Sequence, residues 1–275
     1  MVSSESRRTR RGHRELVVFG RRAVHEALGQ RPDDLAVLEV QVAKSTASSF
    51  RIDLERACRE RGVEMRSVAM SEVNALSEAP RHDQGVVARV ALSRVVEVET
   101  FLEQHTGRRA RKPLRLLALD GVTNAQNVGM VVRTVVACGL DGMLWPRTGM
   151  PWVQGLVVKA SASAVYRCNV LRCETLVEGL HALQGAGFEV LGLAHPGEAR
   201  LFDHAPAHRA IFVAGSETHG LSGAVRELSD ATLEVPLVGP VESLNVAVAA
   251  SLACFHAANL LAPSESAATR GETAR

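Results

Sequence analysis

The chain has 275 residues, 46% of them hydrophobic and 23% charged, with a formal net charge of +2. That composition is ordinary for a soluble globular protein and the length allows two domains. No apolar run reaches the ~18 residues of a membrane-spanning helix, and the charged N-terminus is followed by no apolar stretch of a secretory signal. Five cysteines (Cys58, Cys138, Cys168, Cys173, Cys254) stand without a CxxC pair, the usage of reduced thiols in a cytoplasmic protein.

In chain order, residues 1–14 combine Ser, Glu and five arginines (Arg7, Arg8, Arg10, Arg11, Arg14) with almost no apolar content, which predicts a disordered basic tail. A second basic run, Arg108, Arg109, Arg111 and Lys112, lies mid-chain. Such runs are either solvated tails and linkers or contacts to a phosphate backbone, and the two are compatible. Between them, VVFG leads into a helical pattern at Ala23, Val24, Ala27 and Leu28. Strands are predicted at 35–43, over VEMRSV and over VVARVAL, and helices at 48–61 and 71–77. Residues 15–93 thus form a small α/β unit. Residues 94–113 read as a polar linker with one helical segment near Val96–His105.

From Leu114 to residue 262 the alternation becomes regular. Strands are predicted at 115–120, 142–145, 188–194, 210–214 and 232–237, with helices at 128–138, 174–185, 221–228 and 244–261. Strands alternating with helices argue for a mostly parallel sheet covered on both faces. Residues 263–275 read as a flexible tail.

Three stretches of this second unit carry polar residues where ligands of open α/β sheets bind, beyond the carboxyl ends of strands. In LALDGVTNAQNVGMVVRTVVACG a strand ends at Asp120-Gly121, and Asn124 and Asn127 precede a helix that holds Arg133 among apolar neighbours. An arginine there either reaches solvent or a carboxylate, or awaits a ligand. IFVAGSETHGLSG ends a strand at Gly215 and continues through Ser216, Glu217 and His219, without the Lys-Ser/Thr of a P-loop. VPLVGPVESLNVAVAASL runs from a strand through Gly239 into a helix, with Ser243 as its predicted N-cap and Asn245 just inside the same turn. The small-residue stretch KASASAVYRCNV (159–170) holds the only tyrosine, Tyr166. No histidine spacing matches a metal motif, so no metal is expected.

Together and in order, these stretches resemble the motifs of the SpoU–TrmH family of RNA ribose methyltransferases, within the SPOUT superfamily. N-x-G-x-x-x-R-T is matched by Asn127, Gly129, Arg133 and Thr134; G-S/A-E-x-x-G by Gly215, Ser216, Glu217 and Gly220; P-x-x-G-x-x-x-S-L-N-V by Pro236, Gly239, Ser243, Leu244, Asn245 and Val246. The FGRRAVHEAL opening and QGVVARV close of the first unit resemble the family's substrate-binding domain, which is related to a ribosomal protein. The resemblance implies a C-terminal α/β domain tied in a deep trefoil knot, a feature otherwise nearly absent from proteins, and a homodimer.

It also implies S-adenosylmethionine as methyl donor, with Gly215, Val235 and Leu244 at the cofactor and Asn127, Arg133, Glu217, Ser243 and Asn245 at the reacting ribose. The implied activity is cytoplasmic methyl transfer to a ribose 2'-hydroxyl, foremost of a guanosine in 23S rRNA; a resistance methyltransferase on another rRNA nucleotide or a tRNA enzyme is the alternative. A knot protein that binds RNA without catalysis is the reading from another class, and the complete residue set speaks against it. A dinucleotide oxidoreductase lacks its GxGxxG. The chain departs from the family pattern at Asn124-Ala125, where Asp-Pro is common, and at Ser163, where glycine is usual.

Overall fold

The computed structural model describes residues 15–77, 83–105 and 112–259. The expected tails at 1–14 and 263–275, and the arginines of the mid-chain basic run, lie outside the described residues.

The first unit is a four-stranded sheet in the order β1-β4-β2-β3. Its strands are β1 (Glu15–Phe19), β2 (Leu35–Ala43), β3 (Met65–Val68) and β4 (Val86–Leu92). The central pairs β1–β4 and β4–β2 are antiparallel and β2–β3 is parallel. Helices α1 (Arg21–Leu28), α2 (Ser48–Arg61) and α3 (Met70–Leu76) connect the strands. Gly62 ends α2 in the left-handed conformation that glycine adopts without a Cβ clash.

The second unit is an eight-stranded sheet, and each of its strand pairings is parallel. Its strands are β5 (Val95–Glu97), β6 (Leu114–Asp120), β7 (Gly142–Pro146), β8 (Val170–Cys173), β9 (Glu189–Leu193), β10 (Ala199–Arg200), β11 (Arg209–Gly215) and β12 (Ala231–Glu234), in the order β10-β12-β9-β11-β6-β7-β8-β5. The helices are α4 (Val98–Gln104), α5 (Ala125–Ala137), α6 (Gly155–Ala160), α7 (Leu176–Gly185), α8 (Gly223–Leu228) and α9 (Val246–Asn259). Because side chains alternate across a strand, β6 serves two cores. Leu117 and Leu119 pack with α5 and α9, while Leu114, Leu116 and Ala118 pack with α4, α7 and α8. The result is a sheet between two helical layers, as parallel sheets require.

Three features differ from the periodicity. Part of the predicted linker belongs to the large sheet: Val95–Glu97 pairs with β8 as its edge strand, and Val98 and Phe101 of α4 are buried in the core beside it. Three residues are too few to show an alternation. Strand β8 and helix α6, both short, sit in and beside the small-residue run, where close packing hides any period. The last two predicted strand boundaries also shift, so that Val235 follows β12 as loop rather than belonging to it.

The two units share one apolar cluster. It runs without a break from Leu16, Val18 and Val90 through Val157 and Val165 to Leu117, Val131 and Ala250. At the junction the Phe19 ring lies so close to Gly155 that a Cβ there would fall 2.6 Å from it.

Within the large unit, the closest helix contact is α5 on α6. A Cβ at Gly129 would lie 2.5 Å from the Ala160 Cβ and 2.9 Å from the Val157 carbonyl oxygen. Gly129→Ala is therefore expected to cost about 1–3 kcal/mol through overpacking, read as a lower urea midpoint with an unchanged slope.

Candidate active site

Strands β6 and β11 lie side by side in register, with Asp120 opposite Gly215 at their carboxyl ends. The loops that follow them therefore leave the sheet together. After β6, Asn124 caps α5: its Oδ1 accepts from the backbone N–H of Gln126 at 2.9 Å and of Asn127 at 3.4 Å. Ala125 occupies the first helical position, where proline is also favoured. Asn124-Ala125 thus does locally what Asp-Pro would do. The cap fixes Asn127, which is 5% exposed.

After β11 the chain makes a tight loop closed by two backbone bonds between Ser216 and Gly220, at 3.1 and 2.8 Å. Gly215 is required there, since a Cβ would run into the Gly220 carbonyl and the Leu221 nitrogen. The far side of the loop is pinned by Asp120, whose Oδ2 accepts from the Ser222 N–H at 2.6 Å. Held this way, Glu217 projects toward the start of α9.

That start is built by Asn245. Its carbonyl accepts from Val248 and Ala249, and its Oδ1 from the Ala247 N–H at 2.9 Å, so Asn245 is itself the helix cap. The cap expected at Ser243 is displaced by two residues. Ser243 is exposed and lines the neighbouring cavity instead.

Three loops meet on one oxygen. Glu217 Oε1 accepts from Asn127 Nδ2 at 3.1 Å, from Asn245 Nδ2, and from the Val246 N–H at 3.4 Å, and Asn245 Nδ2 also reaches Asn127 Oδ1 at 3.3 Å. A carboxylate that takes several N–H donors is held in one orientation, and each charge-assisted bond is stronger than a neutral one.

Beside this cluster a cavity of about 290 Å³ opens at the carboxyl ends of β9, β11 and β12. Gly215, Glu217, Val235, Ser243 and Leu244 line it. His195 and Arg226 also line it and carry no motif signature; His195 Nδ1 lies 3.5 Å from Glu234. Narrow walls of backbone and aliphatic side chain with a few polar groups suit a small organic ligand. Among the described residues no group of three or more His, Cys, Asp or Glu is placed to hold a metal ion.

Arg133 is not part of this constellation within one chain. It is exposed, on the face of α5 shared with Gln126, Met130 and Ala137. Six residues of helix set it about 120° around the axis from Asn127.

Comparison with known proteins agrees with this architecture. Residues 115–255 match the SpoU rRNA Methylase family, and residues 17–96 match the domain described as RNA 2'-O ribose methyltransferase substrate binding. A Mycolicibacterium vanbaalenii protein named as an uncharacterized tRNA/rRNA methyltransferase is 32% identical over 235 residues, covering 82% of this chain and 73% of that one. The 23S rRNA (guanosine-2'-O-)-methyltransferase RlmB of Xylella fastidiosa is 33% identical over 221 residues, 80% of this chain and 88% of that one. The crystal structure of the SpoU methyltransferase AviRb from Streptomyces viridochromogenes, in complex with AdoMet, shares the fold with a TM-score of 0.69 at 23% identity, over 94% of each chain.

The two readings of the α9 cap separate by mutation. Asn245→Ala is expected to cost about 1–2 kcal/mol in urea denaturation by removing the cap and a donor to Glu217. Ser243→Ala is expected to stay within about 0.5 kcal/mol of the parent.

Proposed function

The chain belongs to the SpoU family of RNA 2'-O-ribose methyltransferases, and from that premise we propose that it transfers a methyl group from S-adenosylmethionine to the 2'-hydroxyl of a guanosine in 23S rRNA, as a cytoplasmic homodimer. The observation that carries the site is the convergence of Asn127, Glu217 and Asn245 on one oxygen beside the cavity lined by Gly215, Val235 and Leu244. The guanosine and the 23S target rest on relatives such as the RlmB proteins. A cytoplasmic site is in keeping with the absence, among the described residues, of a helix long and apolar enough to cross a membrane.

The residues fit the donor. Gly215 lets the β11 loop close tightly on Gly220 and Leu221 at the cavity edge, and Val235 and Leu244 add apolar lining. When bound, S-adenosylmethionine supplies a methyl group on a positively charged sulfur, ready for in-line attack.

The chain has to place a ribose hydroxyl in near-attack geometry and take its proton. Asn127 and Asn245 fix Glu217 through Oε1, which leaves Oε2 outside those bonds and able to accept the hydroxyl hydrogen. Ser243 lines the cavity and bonds the same ribose in this reading. Arg133 offers a fork of N–H donors and no acceptor. It grips the adjacent phosphate and stabilises the developing alkoxide rather than acting as a base.

Support for the dimer comes from the surface around Arg133. Thr134 and Ser251 hydroxyls bond at 3.0 Å, which sets α5 and α9 side by side. Their outer faces expose Met130 (43%), Val248 (48%) and Phe255 (58%). Apolar residues clustered on neighbouring helices mark an association surface, and a second copy seated there would cover them and take Arg133 out of bulk water.

Full-length protein incubated with labelled S-adenosylmethionine and total RNA lacking the modification is expected to label 23S rRNA at a guanosine 2'-oxygen. Label in tRNA would overturn the rRNA target, and no transfer to any RNA would overturn the catalytic reading. Arg133→Lys is expected to keep activity within about tenfold while Arg133→Ala loses ~10²-fold or more; equal losses would refute a simple charge role. Phe255→Glu is expected to give a monomer by light scattering.

A further inference from the structure

Away from the methyl-donor cavity, a larger cleft of about 680 Å³ lies between the two units. One wall is β1 and α1, with Phe19, Arg22 and Glu26; the other is α6 and the turn after it, with Leu156, Lys159 and Ser163. We propose that this cleft binds a single-stranded stretch of the RNA substrate, with a phosphate held between Arg22 and Lys159 and a base laid against Phe19 and Leu156. The proposal rests on the RNA methyltransferase reading above.

Charge points to the ligand. Glu26 is already satisfied: the Arg22 Nε donates to Oε1 at 2.9 Å and the Ser163 hydroxyl donates to Oε2 at 2.9 Å. The bond from Arg22 is the main reason its carboxyl is held below the usual range, offset in part by burial. Lys159 on the facing wall is exposed, and the Arg22 side chain is 93% exposed beyond its contact with Glu26. Two cations and one carboxylate leave the cleft net positive, and an anion between opposed cations gains from both.

The floor is apolar. Leu156 is 57% exposed and the Phe19 ring is packed on Gly155. A nucleotide has just this pairing of a flat apolar base and an anionic phosphate. A base can lie on such a floor only when it is out of a duplex stack, which selects single-stranded RNA. The volume is within the range of sites that enclose a small organic ligand.

Position supports the same occupant. Helix α6 packs against Gly129 of α5 on one edge and lines the cleft on the other. Gly129 is two residues from Asn127. RNA in the cleft therefore runs one helix away from the candidate active site. The two walls are also tied together: Ser163 sits at φ +63, in the left-handed region that glycine usually fills, and its hydroxyl bonds Glu26 of α1.

The test uses full-length protein and a fluorescent single-stranded oligoribonucleotide of about eight nucleotides carrying 4-thiouridine. On irradiation, crosslinks are expected in the peptides containing Phe19 or Leu156. Lys159→Glu and Arg22→Glu are each expected to weaken binding about tenfold and to lower the salt slope of binding by about 1, with S-adenosylmethionine binding unchanged. Leu156→Ala, at an exposed position, is expected to reduce crosslinking without changing the melting temperature. Crosslinks confined to other peptides, or unchanged affinity in both charge variants, would overturn the cleft. Loss of all methyl transfer in the wild type, with crosslinks at Phe19 retained, would remove the catalytic reading alone.

Discussion

One carboxylate oxygen ties the catalytic unit together. Glu217 Oε1 collects N–H groups from the first turn of α5 and from the start of α9, while Glu217 itself stands on the loop after β11. These segments are 90 and 28 residues away in sequence. The parallel register of β6 with β11 brings the loops into range, and two helix caps, Asn124 and Asn245, aim their donors. Stability and geometry are therefore coupled here: the residue that caps α9 is also the one that orients Glu217.

Much of this was legible from residue pattern because the long elements announce themselves. The α5 helix, with apolar residues at Val128, Val131, Val132 and Val135, and the apolar runs 116–119 of β6 and 210–214 of β11 leave little choice of assignment. Elements of three to six residues do not carry a period. Val95–Glu97 looks like the end of a connector until its ladder with β8 is seen, and α6 is short enough to pass for loop.

At the site, the family resemblance put Asn127, Glu217 and Asn245 in one group, and hydrogen bonds join the three side chains. Asn245 read as a misplaced helix residue when it is the cap, since a polar pair two residues apart offers two candidates for one position. Arg133 shows the converse. Its motif links it to Asn127, yet helix rotation sets the two on different faces of α5. Residues that act by position alone, such as Asp120 holding the Ser222 N–H, have no pattern to find.

The unbroken apolar cluster from β1 to α9 gives the two units a shared core. A protein hinged between its domains can close on an RNA and let the closure choose the nucleotide. Here a wide swing of the small sheet would expose that shared core to water, which disfavours such a motion. The deformation needed to present a ribose then falls on the RNA, and targets that are already splayed out need the least of it.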